Sequence, residues 1–374
     1  MSADYLGTHD FSLATVLWLW GGWASIYEST VWATGADYTT LWAAIAAWKT
    51  RILVIDDTTE TWNITIPTWL IVHWLWKDVV NINMWTYVFT ASSDEPEFKD
   101  LKITIAYTSW ARLISDSNSN FTFTNVYFDD NSTVSWTYRT WLSWKTKYIN
   151  CTFDLPNVAN GWISITWWYL KDCYITWWWT LMDIFMSVNN TIIENVLFDA
   201  RYASWTNWFD LNNSSIMIWW IIKANYTSTQ IIDANSSIVR WVEIECNAGW
   251  YISNAIVANN WSLIENILFD DNTFTSSDLL ITATNSNISW TSTFTWITAV
   301  SWSVINWYIW DTPITITGDD NTIASSKIGQ TTWGWTNTIT INAAADRTIV
   351  NGCRTDAAIS DSGTWSVLTW NVVY

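Results

Sequence analysis

A short motif recurs along most of this chain at intervals of 22–25 residues. Each copy is a turn residue, an apolar residue, any residue and a second apolar residue, often followed by aspartate. Clear copies begin at Asn125, Asn150, Asn195 and Asn266, and weaker ones begin at Asp172, Trp219 and Trp241. A repeat this short, with apolar residues at a period of two, predicts a solenoid of stacked coils, each built from short strands.

The residue types in the repeat indicate which kind of solenoid it is. Ile, Val, Thr and Phe alternate with Asn and Ser, which disfavours helical repeats, and the framework of leucine-rich repeats is missing. We therefore predict an all-β fold, a right-handed parallel β-helix with about 20–25 residues per coil. Val126 and Phe128 should point inward, whereas Tyr127 and Leu197 should point outward. The asparagines that open the copies should line one corner, where stacked amides satisfy backbone groups.

The N-terminal part predicts a helix that caps the stack. Residues 40–47 form a short amphipathic helix in this interpretation, with Thr39 or Thr40 as its N-cap, and the helix would cover unpaired strand edges. Strand-like runs follow at 51–55, 63–66, 70–72 and 79–84. The expected organisation is a leader or particle adaptor at 1–34, a capping helix with the first coils at 35–100, and the parallel β-helix at 101–374.

The chain contains 37 Trp but only 11 Gly. At the usual glycine content of about 7%, a chain of this length would hold about 26 glycines. Tryptophan follows asparagine at Trp208, Trp261 and Trp307, where Asn-Gly is the favoured turn dipeptide. Trp48 follows the predicted helix, where glycine is also usual.

Some bacterial lineages, and the phages that infect them, read the codon UGA as glycine. We therefore hypothesise that these tryptophans stand for glycines whose UGA codons were translated as tryptophan. The alternative is a real tryptophan-rich surface, whose indole faces would offer platforms for stacking sugars.

Composition excludes several classes of protein. The formal net charge of −18 disfavours binding to nucleic acid, because the chain would be repelled by phosphate backbones. The chain contains no run of about 18 uninterrupted apolar residues, so we expect no transmembrane helix. The four cysteines form no C-x-x-C motif, so neither a disulfide scaffold nor structural zinc is expected. No basic stretch precedes the apolar residues at 11–24, so a signal peptide is not convincing.

Acidic residues that follow the repeat are the candidate functional groups. The candidates for contact with carbohydrate or calcium are Asp129, Asp130, Asp154, Asp199, Asp270 and Asp271. Asp129 and Asp154 occupy equivalent positions one coil apart, so their carboxylates should lie close together. Paired carboxylates suit calcium, which is the one candidate cofactor, and they also suit glycoside hydrolysis. The structural alternative is that each aspartate caps the turn after its strand.

The beginning and end of the repeat region resemble a known superfamily. The segments at 35–45, 51–55 and 63–66 resemble the opening of the pectin-lyase-like right-handed parallel β-helix proteins. The coil at 150–153 resembles coils of the same superfamily, and the ending at 361–373 resembles the last coil of its phage and cell-surface members. The likeness covers roughly residues 35–374 and implies a fold. The superfamily contains polysaccharide lyases, glycoside hydrolases, adhesins and phage tail spikes, so it does not imply one function.

The resemblance favours a structural, receptor-binding β-helix protein of a phage particle, a tail spike or fibre that contacts host surface polysaccharide. It implies a homotrimer in the virion or on an extracellular surface, with residues 1–34 available to contact other virion proteins. The alternatives are a polysaccharide lyase or glycoside hydrolase, and a bacterial surface adhesin. The His-Gly and Arg-x-Lys motifs of the hydrolase branch are missing, so no catalytic residue is assigned and a non-enzymatic role is favoured.

Overall fold

The protein is an all-β parallel solenoid in the computed structural model. The structure describes residues 27–32, 36–67, 70–73, 80–91, 96–106, 121–131, 137–138, 146–155, 161–166, 169–177, 184–200, 207–224, 230–246, 254–269, 279–289, 296–307, 309–310, 313–328 and 338–373. Strands from successive coils pair in parallel and in register, which gives stacked sheets along one axis. The all-β parallel β-helix predicted from the repeat is confirmed, while the hand of the coil and the superfamily remain predictions.

Three stacks of strands, here called sheets A, B and C, form the sides of the solenoid. Sheet A contains Ser29–Val31, Arg51–Val54, Ile71–His73, Glu97–Lys99, Thr122–Thr124, Lys147–Ile149, Tyr169–Lys171, Asn287–Ser289, Val304–Asn306, Thr322–Ala324, Ile349–Asn351 and Val367–Thr369. Sheet B contains Thr58–Thr59, Asn81–Trp85, Lys102–Ile105, Tyr127–Asp130, Thr152–Leu155, Tyr174–Trp177, Ile309–Trp310, Lys327–Ile328, Arg354–Thr355 and Val372–Val373. Four longer strands run through sheet A into sheet B: Ile192–Ala200, Ile216–Ala224, Ile238–Cys246 and Leu263–Phe269.

Sheet C forms the remaining side. It contains Ile64–Ile66, Phe89–Ala91, Thr137–Tyr138, Gly161–Thr166, Ile184–Asn189, Asn207–Asn212, Gln230–Asn235, Asn254–Asn259, Leu279–Thr284, Trp296–Ser301, Ile314–Ile316, Ile339–Ile341 and Ser360–Asp361. No helix among the described residues is long and apolar enough to cross a membrane.

Alternate side chains of each strand fill the interior. Val126 and Phe128 are buried, whereas Tyr127 is only partly buried, so the predicted inward and outward positions are confirmed. Inward aromatic rings stack on one another from coil to coil. The ring centroids of Phe128 and Phe153 lie 4.8 Å apart with the planes 7° from parallel. This continuous core replaces the compact core that a single coil could not build.

In many of the described coils the backbone turns through a residue with positive φ at one or both of two corners. The connection at 55–57 has no such residue, and the corners at 213–214 and 260–261 have two in succession. At the corner that follows sheet A, φ lies between 52° and 65° at Asp100, Asn125, Asn150, Asp172, Asn195, Trp219, Trp241, Asn266, Trp307, Ser325, Gly352 and Trp370. At the corner between sheets C and A, φ lies between 50° and 69° at Asn190, Ser214, Ser236, Trp261, Asn285, Trp302, Asp320, Arg347 and Trp365. Both corners therefore need the left-handed backbone conformation that glycine and asparagine tolerate best.

Side chains at the first corner bond to one another along the stack. The amide of Asn125 donates to Asp100 at 2.6 Å, and the amide of Asn150 donates to Asn125 at 3.1 Å. Asn195 donates in the same way to Asp172 at 2.6 Å. The asparagines line one corner as predicted, but these bonds join corner side chains of neighbouring coils, whereas the sequence analysis predicts that the amides bond to backbone groups.

A short helix, α1, lies near the first strand of sheet A and spans Leu41–Ala46. Thr40 is its N-cap and accepts a hydrogen bond from the Ala43 amide, as the sequence predicts. The buried carboxylate of Glu60 also accepts bonds from the amides of Leu41 and Trp42, at 2.8 and 3.0 Å. The helix is present where it is predicted, and its role as a cap on the stack remains a prediction.

The Glu60 carboxyl gives a testable dependence of stability on pH. Burial raises the pKa of Glu60 above its ordinary value, so the folded chain keeps this proton to a higher pH than the unfolded chain does. The free energy of unfolding should fall as pH rises between the two pKa values and then level off. Glu60→Gln should remove that step in urea unfolding at a series of pH values, whereas Glu28→Gln, at an exposed carboxyl, should keep it. Parallel curves for the wild type and Glu60→Gln would contradict the assignment.

Candidate functional site

The outer face of sheet B brings predicted acidic residues into one row. The row runs in register through Thr104, Asp129, Asp154, Thr176 and Asp199, one residue from each successive strand. We call these five residues the acidic row. A second outward column lies beside it and contains Lys102, Tyr127, Thr152, Tyr174 and Leu197. Since neighbouring strands are about 4.8 Å apart, the row presents oxygen atoms at a regular pitch along the axis.

Asp129 is held by the coil before it. Its Oδ2 lies 2.6 Å from the ammonium nitrogen of Lys102 and accepts a bond from the Thr104 hydroxyl at 3.4 Å. The same ammonium lies 5.3 Å from the centroid of the Tyr127 ring. One cation therefore fixes both a carboxylate and an aromatic ring of the next coil.

Asp154 is held from both sides. The Tyr127 hydroxyl donates to its Oδ2 at 2.9 Å, and the Thr176 hydroxyl of the following coil approaches its Oδ1 at 3.3 Å. Asp129 and Asp154 therefore engage side chains of neighbouring strands. Their geometry is that of a fixed, partly exposed hydrogen-bonding surface.

The other predicted acidic residues add little exposed surface to this row. Asp199 is its last member but is only 8% exposed, so it offers little surface to a ligand. The side chain of Asp130, and both Asp270 and Asp271, lie outside what the structure describes. Within the described part of the chain, no group of three or more His, Cys, Asp or Glu residues is placed to hold a metal ion.

The row includes residues that the sequence did not single out. Lys102, Thr104 and Thr176 follow no motif of their own, and they enter the site because parallel register places them beside the aspartates. Aligning the repeats and reading down each outward position would have found them. Tyr127 and Tyr174 lie in the neighbouring outward column.

His73 lies away from the acidic row. It sits on sheet A, where its Nδ1 is 2.8 Å from the Tyr27 hydroxyl and its Nε2 is 3.7 Å from Glu97. Burial lowers the pKa of His73, which favours the neutral ring. This histidine therefore belongs to a structural contact between the first coils.

Comparison with known proteins gives one structural likeness. No protein-family model and no curated protein sequence matches the chain. A solved structure of tailspike protein 3 from bacteriophage CBA120 is similar over 89% of this chain, with 10% sequence identity and a TM-score of 0.34. The chain spans 57% of the length of that tailspike. At this level of similarity the match carries no conclusion about activity or partners.

The bond between Tyr127 and Asp154 can be tested by a double-mutant cycle. Tyr127→Phe should lower the free energy of unfolding by about 1 kcal/mol, because it removes a hydrogen bond to a carboxylate at a partly exposed site. Asp154→Asn should have a smaller additional effect in the Tyr127→Phe background than in the wild type. Urea unfolding measures all four proteins, and strictly additive effects would show that the two side chains do not interact.

Proposed function

We propose that the chain is a structural, receptor-binding β-solenoid of a phage particle, a tail spike or fibre, that contacts polysaccharide on the host surface. The acidic row carries this proposal. It combines carboxylates, hydroxyls and neighbouring phenol rings at a fixed pitch on a rigid stack. Such groups bond to sugar hydroxyls and stack on sugar rings. The proposal includes a homotrimer in the virion. The part of residues 1–34 that precedes the sheet A strand Ser29–Val31 would contact other particle proteins.

The charge of the site limits the class of polysaccharide. Among the contacts just described, Lys102 is the one positive charge beside the two negative charges of Asp129 and Asp154. The whole chain carries a formal net charge of −18. A polymer that bears a carboxylate on every sugar would be repelled. We therefore infer that the partner is a neutral or amino-sugar polysaccharide.

Binding to immobilised polysaccharides tests this function. The probes are a panel of neutral and amino-sugar bacterial envelope polysaccharides, with polygalacturonate as the acidic comparison. We expect binding to a member of the panel and not to polygalacturonate. Asp129→Asn with Asp154→Asn should weaken binding by tenfold or more, which is about 1.4 kcal/mol.

A matched control uses the same chemistry on another face. Asp210 and Asp233 are also in-register carboxylates on neighbouring strands, but they lie on sheet C. Asp210→Asn with Asp233→Asn should leave binding unchanged. Equal losses in both double variants would indicate a general effect of charge and would overturn the assignment to sheet B. Release of shorter or unsaturated sugars would favour the lyase or hydrolase alternative, and recovery of the native protein only from bacterial surfaces would favour the adhesin.

We further propose that many of the tryptophans are glycines in the native protein. Eight tryptophans have positive φ, namely Trp48, Trp219, Trp241, Trp261, Trp302, Trp307, Trp365 and Trp370. Seven of them occupy the two corners, where other coils use asparagine, aspartate, serine or glycine and, at Arg347, arginine. Gly352 holds the same corner position as Trp307 and Trp370, with φ of 65°. Trp48 directly follows the C-cap of α1 and is 87% exposed, which is the usual place for glycine.

Stability measurements test the conformational part of this proposal. Each non-glycine residue in the left-handed region costs about 1 kcal/mol or more. Replacing Trp307 and Trp370 by glycine in a synthetic gene should therefore raise the free energy of unfolding. Trp42→Gly is the control, because it lies inside α1, where glycine destabilises by up to about 1 kcal/mol. A loss of stability at the corner positions would contradict the proposal.

Peptide mass spectrometry of the natively produced protein tests the codon directly. Peptides that span Trp219, Trp241 and Trp307 should carry glycine masses, and the protein should be found in a purified particle fraction. Tryptophan masses at these positions would refute recoding and would restore the tryptophan-rich sugar-binding surface.

A further inference from the structure

We propose that the outer face of sheet A between Tyr169 and Thr369 is the surface through which copies of this chain associate side by side. This inference deepens the assembly in the proposed function and rests on it.

One outward column of this face is apolar over most of its length. It runs in register along ten successive strands through Tyr169, Ile192, Ile216, Ile238, Leu263, Asn287, Val304, Thr322, Ile349 and Val367. Ile192, Ile349 and Val367 are 45%, 43% and 48% exposed. An outward stripe of this length is uncommon on a face that only meets water, and such patches mark sites of association.

The second outward column of the face balances its own charges. It contains Lys171, Glu194, Ile218, Arg240, Glu265, Ser289, Asn306, Ala324, Asn351 and Thr369. Lys171 pairs with Glu194 at 3.2 Å, and Arg240 pairs with Glu265 at 2.6 Å. The face as a whole is therefore neutral in a chain of charge −18. Copies that repel one another elsewhere can approach here without opposing net charge.

The length and straightness of the apolar column indicate which partner fits this face. At about 4.8 Å per coil, the apolar column is about 43 Å long and follows the solenoid axis. A partner must present an apolar strip as straight and as long, and a second copy of the same face meets that requirement. Three copies with their sheet A faces turned toward a common axis would each cover the stripe. The apolar character of the stripe comes from its isoleucines, leucine and valines, and it is the same whether the corner residues are tryptophan or glycine.

The test places charges in the middle of the stripe. Ile216 and Ile238 are neighbours in register, so Ile216→Glu with Ile238→Lys can form an ion pair within one copy, like that of Lys223 and Glu245 at 2.8 Å. We expect the wild type to sediment at three times the mass of the single chain. The double variant should sediment as the single chain and keep its β-sheet circular dichroism.

Thr298→Glu with Thr315→Lys is the matched control, since these residues are partly buried neighbours in register on sheet C. This variant should remain trimeric. A wild type that is monomeric at tens of micromolar, or a double variant on sheet A that remains trimeric, would overturn the inference. Polysaccharide binding measured on the monomeric variant separates the two proposals, because a single chain that still binds supports the sheet B site whatever the outcome for sheet A.

Discussion

The whole stack depends on a left-handed residue at two corners of its coils. A parallel strand stacks in register on its predecessor when the turn before it returns the chain to the same position, and most described corners do this through a left-handed residue. Asn125, Asn150 and Asn195 show how the sequence meets this requirement, since asparagine tolerates positive φ and its amide can bond to the corner side chain of the previous coil. Once the corners are fixed, the alternation of side chains decides which residues fill the core and which face outward.

The sequence is most informative where the repeat is local. The motif that begins at Asn125 predicts the buried positions of Val126 and Phe128, and Thr40 predicts the start of α1, because caps and alternation depend on residues close in sequence. Contacts between coils are harder to predict. Lys102 reaches Asp129 only because their strands stack in parallel register, and nothing local to Lys102 indicates this partner. For the same reason, nothing local to Thr176 indicates that its hydroxyl approaches Asp154.

Charge divides the two faces that meet at the first corner. On sheet A the ion pairs are complete within the face, so it presents neutral side chains and apolar stems. On sheet B, Asp129 contacts one lysine and Asp154 contacts two hydroxyls. The two carboxylates are therefore only partly neutralised, and the face keeps a negative, hydrogen-bonding character. One strand such as Ile192–Ala200 contributes to both faces, through Ile192 and Glu194 before the corner and Asp199 after it. A single repeat can thus specify an associating face and a polar face within nine residues.

The identity of the corner residues decides what lies between these faces. As tryptophans, Trp219 and Trp241 stack at 5.4 Å with Arg240 beside them, and two exposed indoles stand at the edge shared by sheets A and B. As glycines, they leave a bare backbone edge like that at Gly352, and each face can be approached without a projecting ring. The strain of positive φ favours glycine, since an indole at this edge gains only partial burial in return for a disfavoured backbone. The positive φ at this corner therefore favours an edge without projecting indole rings. Recognition would then depend on the side chains of sheets A and B.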